Sequence, residues 1–243
     1  MKRIILIICL CFLSLGAFSQ KKNAWSLEAT SGTYLYYLIQ QNEYDKYSNR
    51  FNYEFSLIGS RYFSMLKLST GIMYSTKNIM QKTRGGEVDP NYIVYVDYSV
   101  QYIKVPIFIS FGKTFNSNIS LNVKGGLVVD KMLKYNVSIK EDKGFSDKNY
   151  DIDRMRIGIL ARAGLELSIK VIDKGYININ PFVDYKLLKD DLYTLPNKDW
   201  GVNPLQDYFF RSMPNGEMTF GHSSNDNGGL LSYGLSIGFE YVF

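Results

Sequence analysis

A single histidine, His222, stands two residues before Ser224 in the run Gly221-His222-Ser223-Ser224-Asn225-Asp226. A serine within reach of a histidine can become a nucleophile: the imidazole takes the hydroxyl proton while an acid orients the ring. The acid is the weak point. Glu240 lies sixteen residues beyond Ser224, a span of about 50 Å if extended at ~3.3 Å per residue, far outside hydrogen-bond reach. Asp226 is close along the chain. The plainer reading makes 223–229 a polar loop that leads into a last strand. Both cysteines, Cys9 and Cys11, fall in an N-terminal segment expected to be removed. One imidazole and no thiolate are a poor set for metal or thiol chemistry, and no cofactor is expected.

The remaining chemistry is ionic. Glu28, Glu54, Lys67, Asp97, Lys104, Lys124, Asp130, Arg154, Arg156, Arg162, Glu166, Asp184 and Glu240 are candidates for one enclosed face. Both signs occur, so the residues are expected to pair into a hydrogen-bonded plug. A narrow solute or ion path through the same charges is the alternative. A second group lies in the segment Lys189–Gly228, with three prolines, Trp200 and the run Tyr208-Phe209-Phe210. A loop of that length is usually functional or disordered. Its aromatics are contact candidates, and a lid over the mouth and a binding epitope both stay open.

The elements that carry these residues alternate with period two. Between Arg154 and Lys170, Met155, Ile157, Ile159, Ala161, Ala163, Leu165, Leu167 and Ile169 share one face. Arg154, Arg156, Gly158, Leu160, Arg162, Gly164, Glu166, Ser168 and Lys170 share the other. That is a strand, and a long one. The same pattern gives eight strands, at about 25–37, 51–60, 66–79, 92–112, 119–139, 153–170, 176–188 and 229–243. Many reach the 9–11 residues that a tilted strand needs to cross hydrocarbon. Their polar faces combine glycine with charge, which suits the narrow interior of a small barrel. Turns after strands two, four and six are short, and the last holds Asp173-Lys174-Gly175. The other connections, 42–49, 81–90, 140–152 and 189–228, are long and polar. The expected fold is therefore all-β: an eight-stranded antiparallel up-and-down transmembrane β-barrel with long loops on one rim.

Aromatics near strand ends, namely Tyr34, Tyr36, Tyr37, Phe51, Tyr53, Tyr92, Tyr95, Tyr135, Tyr241 and Phe243, fit interfacial girdles. Phe239, Tyr241 and the terminal Phe243 are read as the signal that barrel-assembly machinery recognises. One strand departs from the pattern. Val94, Val96, Tyr98, Val100 and Tyr102 share parity with Lys104, whereas Val105, Ile107, Ile109 and Phe111 carry the apolar series on the other parity. A β-bulge is expected at Ile103, Lys104 and Pro106, because proline cannot donate to a ladder.

The N-terminus is a targeting segment. Lys2 and Arg3 precede the apolar run Ile4–Leu13, and Ala17 and Ser19 sit at −3 and −1 of a cleavage before Gln20. Residues 1–19 are thus expected to be a signal peptide and 20–243 one barrel domain. Loss of Lys2 and Arg3 lowers the formal charge from +5 to +3, too mild for a nucleic-acid partner. Outside this segment no apolar run is long enough for a membrane helix, and the mean hydropathy of −0.14 averages the two faces of each strand.

Two resemblances bear on function. Tyr102-Ile103-Lys104-Val105-Pro106-Ile107, Leu68-Ser69-Thr70-Gly71-Ile72-Met73-Tyr74-Ser75-Thr76-Lys77 and Gly125-Gly126-Leu127 resemble motifs of the PorT-like outer-membrane β-barrel family of Bacteroidetes. That resemblance covers about 25–243. It implies an eight-stranded barrel in a Gram-negative outer membrane, with lipid and lipopolysaccharide around it, and no single activity. The family's named member assists secretion across that membrane. Gly221-His222-Ser223-Ser224-Asn225 is similar to the His-x-Ser-Asn signature of outer-membrane lipid A 3-O-deacylases. That family places its acid about 14 residues after the histidine, where Ser236 stands, and follows the Asn with a small residue, where Asp226 stands. The expectation is therefore a non-enzymatic, closed outer-membrane barrel whose outer loops meet a partner or ligand. A hydrolase using His222 and Ser224, and a narrow pore, are the alternatives.

Overall fold

The computed structural model describes residues 24–36, 45–63, 66–85, 89–141, 148–152, 157–187 and 231–243. Ten strands are present: β1 (Trp25–Tyr36), β2 (Asp45–Asn49), β3 (Asn52–Phe63), β4 (Leu66–Gly85), β5 (Asp89–Thr114), β6 (Ile119–Glu141), β7 (Lys148–Ile152), β8 (Ile157–Ile172), β9 (Gly175–Lys186) and β10 (Leu231–Val242). They make eight courses. β2 continues β3 along the edge of β4, and β7 continues β8 along β6. Each course pairs antiparallel with its neighbours in sequence, and β1 pairs with β10, so the sheet closes. This is the up-and-down barrel that the alternation predicts, with closure removing every sheet edge from the wall.

The register fixes the shape. One walk round the wall runs from Tyr34 through Gly234, Phe182, Gly164, Lys124, Ser110 and Lys67 to Tyr62. Tyr62 N then donates to Ala24 O, ten residues below the starting point on β1. A stagger of ten residues over eight strands tilts the strands by about 40° for ordinary strand rise and spacing.

Burial follows the same alternation with the phase turned inside out. On β1, Ser26, Glu28 and Tyr34 are buried while Leu27 and Leu35 are exposed. On β5, Ile103, Val105, Ile107, Ile109 and Phe111 all face outward, a belt nine residues long, while Lys104 and Ser110 are buried. A protein dissolved in water does not present so continuous an apolar wall, whereas a barrel in lipid must. Thr70 is a hydroxyl on this outer face, and its Oγ1 donates to Pro106 O at 2.9 Å, so it is satisfied without water.

The short connections hold themselves together. Asn116 Oδ1 accepts from the backbone N of Asn118 and of Ile119, at 2.9 and 2.8 Å, which closes the β5–β6 turn. Residues 173–174 close the β8–β9 hairpin. At the opposite end the strands run on further than the alternation alone suggests. β4 reaches Gly85 and β5 begins at Asp89, and β2 and β7 occupy parts of the segments expected to be loops.

Inside, large side chains are laid over glycines on the next strand. Phe108 stands opposite Gly126, and Phe182 stands opposite both Gly164 and Gly234. A Cβ on Gly126 would collide with Ile107 O and come within 2.9 Å of Phe108 Cα. Those are backbone atoms that cannot swing away. Gly126→Val is therefore expected to lower barrel stability by roughly 1–3 kcal/mol or more through overpacking. The loss would be read as an earlier loss of the compact band on heating before electrophoresis.

The irregularity on β5 is placed differently from the sequence expectation. Burial alternates without a break through Ile103, Lys104, Val105 and Pro106. The register shift lies between Gln101 and Tyr102, and the extra residue belongs to the facing strand. Gln101 pairs with Lys134 and Tyr102 with Met132, leaving Leu133 of β6 over. The apparent change of parity on β5 has another cause: Val100 and Tyr102 are apolar residues that point inward, at 1% and 3% exposure. Pro106 leaves its own mark on the other edge, where the β4–β5 ladder shows no partners for Gly71 and Ile72.

Candidate functional site: the charged lumen

The side chains that could do chemistry converge on the barrel interior. They arrive there because each strand places every second residue inward. Among the described residues, six cations (Lys67, Lys77, Lys104, Lys124, Arg162, Lys186) and six carboxylates (Glu28, Glu54, Asp130, Glu166, Asp184, Glu240) occupy the lumen. Their pairing sorts them into three tiers along the axis.

The middle tier is built on Arg162 of β8. Its Nη1 and Nη2 donate to Glu54 Oε1 and Oε2 at 2.7 and 2.9 Å. Its Nε and Nη2 donate to Asp184 Oδ1 and Oδ2 at 2.6 and 2.8 Å. One guanidinium thus serves two carboxylates in paired fashion, the geometry that its planar fork allows and an ammonium does not. The same group lies 4.0 Å from the centre of the Phe182 ring. Lys104 reaches Glu54 Oε2 at 3.3 Å.

The tier nearest the short turns joins Lys67 to Glu166 at 3.0 Å and to Glu240 at 3.1 Å. The Tyr62 hydroxyl donates to Glu240 Oε1 at 2.6 Å, and Asn122 Nδ2 donates to Glu166 Oε1 at 2.9 Å. Lys124 stands 3.6 Å from Glu166 Oε2. Asn178 Nδ2 bridges Glu28 Oε1 and Glu240 Oε2, at 2.8 and 3.1 Å.

The third tier, toward the long connections, holds Lys186 at 3.7 Å from Asp130 Oδ2. Lys77 lies 4.7 Å from the centre of the Tyr36 ring, and Lys186 lies 5.7 Å from that of Tyr102. The Tyr34 hydroxyl donates to the carbonyl of Thr76. Between the tiers, Ile58, Met73, Phe108, Val128 and Leu160 form an apolar cluster within the lumen. The one cavity described within the barrel is about 30 Å³, room for roughly one water.

Most of the charges named from sequence meet here. Glu28, Glu54, Lys67, Lys104, Lys124, Asp130, Arg162, Glu166, Asp184 and Glu240 all lie in the lumen. Asp97 does not. It stands opposite Met80 and pairs with Arg50 at 3.2 Å, on the part of the sheet beyond the barrel, with the two side chains 31% and 53% exposed. Arg154 and Arg156 lie outside the described residues, as do the signal segment, His222, Ser224, Trp200, Tyr208, Phe209 and Phe210. Sequence reasoning misses Lys77 and Lys186 as lumen charges. Their even spacing from inward neighbours on the same strands is the available signal. Tyr34 is 3% exposed and belongs to the interior rather than to a girdle. Aromatics do flank the outer wall at the short-turn end. Phe239, Tyr241 and Phe243 are exposed, and Tyr241 packs on Phe243 with centroids 5.6 Å apart. Arg61 lies 5.1 Å from the Trp25 ring and 5.0 Å from the Phe63 ring, a charged group with aromatic cover at an interface.

A closed barrel with a polar, ion-paired inside and an apolar outside defines a chain of the outer-membrane barrel type. No family model matches the chain, and no curated protein matches it in sequence. Among solved structures it is similar in outline to three bacterial barrels. A major outer membrane protein from Thermus thermophilus shares 11% identity, with 90% of this chain and 100% of that one aligned and a TM-score of 0.49. Neisserial surface protein A shares 12% identity over 90% and 97%, at 0.40. Ail, the attachment invasion locus protein of Yersinia pestis, shares 11% over 92% and 100%, at 0.36. The barrel assignment stands on this chain's own register.

Proposed function

We propose that the chain is an integral outer-membrane protein that works by contact rather than by transport or catalysis, through the sheet on its long-loop side. The observation that carries this reading is the division of the strands into two zones. Beyond Ser75 on β4 and Lys131 on β6, the ladder partners among the described residues are only β5, β2 and β7. Among the described residues, these five segments carry the sheet on past the ends of β1 at Tyr36 and β9 at Lys186. The lumen below is filled by paired side chains. A filled lumen beneath a projecting sheet favours presentation of a surface to a partner over passage of a solute.

In this reading the short turns face the periplasm and the projecting sheet faces outward. The PorT-like motif on β5 gains a physical sense. Lys104 of that motif is the inward cation that reaches Glu54, and Pro106 is the acceptor for Thr70. An accessory role in secretion or envelope function rests on that resemblance. The His222/Ser224 hydrolase remains the second reading, on its sequence motif alone.

Two measurements test the proposal together. The purified protein in planar bilayers is expected to give a flat current trace. A photo-crosslinker at exposed Lys140, on the projecting part of β6, is expected to capture one protein or lipopolysaccharide partner in intact outer membranes. Steady channel openings with no crosslink above background would replace the contact reading by a pore. Lipid A acyl patterns that change when the gene product is removed would replace it by the hydrolase.

A further inference from the structure

The outward face of β4, β5 and β6 changes character at one level. Up to that level it is apolar: Ile72 on β4, Val105 on β5 and Val129 on β6 are all exposed. The register then lines up five successive rows across the three strands, because residues directly opposite each other share a face. They are Tyr74–Ile103–Lys131, Thr76–Gln101–Lys134, Asn78–Ser99–Asn136, Met80–Asp97–Ser138 and Lys82–Tyr95–Lys140. The bulge at Leu133 lies between the first two rows and keeps Lys131 and Lys134 on the same side. Tyr74 and Ile103 close the belt, and beyond them the face is polar. From first row to fifth is eight residues of β5, about 26 Å along the strand and roughly 20 Å in height at the barrel's tilt.

The charge on this face has one sign. Lys131, Lys134 and Lys140 are exposed, and Lys82 is half-buried. Lys82 and Lys140 flank Tyr95 from the two neighbouring strands, with Lys82 Nζ 5.5 Å from the centre of the Tyr95 ring. The one carboxylate in the five rows is Asp97, and Arg50 reaches over Met80 to hold it at 3.2 Å. Lys82, Lys131 and Lys140 therefore have no carboxylate among the described residues. Like charges gathered on one face repel, and an anion laid across them would relieve that.

Position selects the anion. The first row stands at the edge of the hydrocarbon, where lipid headgroups already pack against the wall, so a protein partner would first have to displace them. Basic residues at that depth attract anionic headgroups. Between the two pairs of lysines, Gln101, Asn136 and Ser138 offer amides and a hydroxyl, which suit a saccharide. A headgroup that spans these rows must carry an anion next to its acyl chains, then sugar, then a further anion. We propose that this face binds the phosphorylated saccharide headgroup of lipopolysaccharide in the surrounding leaflet. Lys131 and Lys134 hold the phosphate nearest the acyl chains, and Lys82 and Lys140 hold the outer anion. The inference rests on the contact reading above and names the partner of that surface.

The test titrates the full barrel, in a zwitterionic detergent, with fluorescent lipopolysaccharide. Each lysine near a lipid surface is worth about fivefold in affinity, so Lys82→Gln, Lys131→Gln and Lys140→Gln together are expected to weaken binding roughly 100-fold. Lys174→Gln, in the exposed turn at the other end of the barrel, is expected to change nothing. Heat-modifiable migration checks that the triple variant is folded. A second measurement needs no variant: the wild-type barrel is expected to bind dephosphorylated lipopolysaccharide far more weakly, and to lose affinity for the intact lipid as salt rises. Equal affinity for the two lipids overturns the site, as does a folded triple variant that binds like wild type. If lipopolysaccharide binding fails either way while a crosslinker at Lys140 still captures a protein, the contact reading stands and this partner is wrong. Steady channel openings with no crosslink would remove both.

Discussion

Replacing Arg162 by methionine is expected to destabilise the barrel by about 3–5 kcal/mol, the usual cost of removing one partner from a buried ion network. The side chain is 7% exposed and holds both Glu54 and Asp184 through two hydrogen bonds each. Methionine fills much of the same volume and keeps contact with Phe182, so little of the loss can come from packing. What it leaves is two buried carboxylates with only Lys104, 3.3 Å from Glu54, to answer them. Urea titration of the folded band measures the loss. A control separates charge from shape. Adding Glu54→Gln and Asp184→Asn to Arg162→Met removes the stranded charges and is expected to restore most of the stability. If Arg162→Met alone were neutral, the middle tier would not hold the lumen together, and the reading of the lumen as an ion-paired plug would lose its central support.

Much of this tier is legible in the chain itself. Arg162, Glu54 and Asp184 stand on the polar parity of their strands, and the strand period places them inward. Which charge meets which is not legible. Glu54 and Arg162 are more than a hundred residues apart and lie on opposite parts of the ring, so their contact depends on the stagger of the whole barrel. The same limit explains the displaced irregularity on β5. The parity of that strand is plain, but hydrophobicity alone assigns Val100 and Tyr102 to lipid. In a narrow lumen, apolar residues are needed where glycines on neighbouring strands leave room, as Phe108 does over Gly126. Asp97 shows the converse. A charge on a strand need not face the lumen once the strand has left the membrane, and there the sequence period carries no sign of where the hydrocarbon ends. Loop asymmetry is legible at the short turns, where 115–118 and 173–174 are as brief as expected. It overstates the loops opposite, because β4 and β5 keep pairing far past the ring.

An arginine at position 107 provides the strongest test of the membrane reading itself. Ile107 is 59% exposed and lies at the middle of the outward belt from Ile103 to Phe111. If that belt faces hydrocarbon, Ile107→Arg places a charge near the bilayer midplane and is expected to cost about 2–4 kcal/mol for folding into lipid vesicles. The argument depends on depth, so it carries its own control. Val171, 47% exposed near the short-turn end of β8, also faces outward, and Val171→Arg is expected to cost only about 0–1 kcal/mol. A barrel whose outer surface met water would give a different pattern. Exposed substitutions there usually stay within about 0.5 kcal/mol, at the middle of a strand as at its end. The difference between the two variants, measured in the same vesicles, isolates the solvent of the wall from every property of the lumen. It does so because both substitutions leave the inward face, with its paired charges and its glycines, untouched.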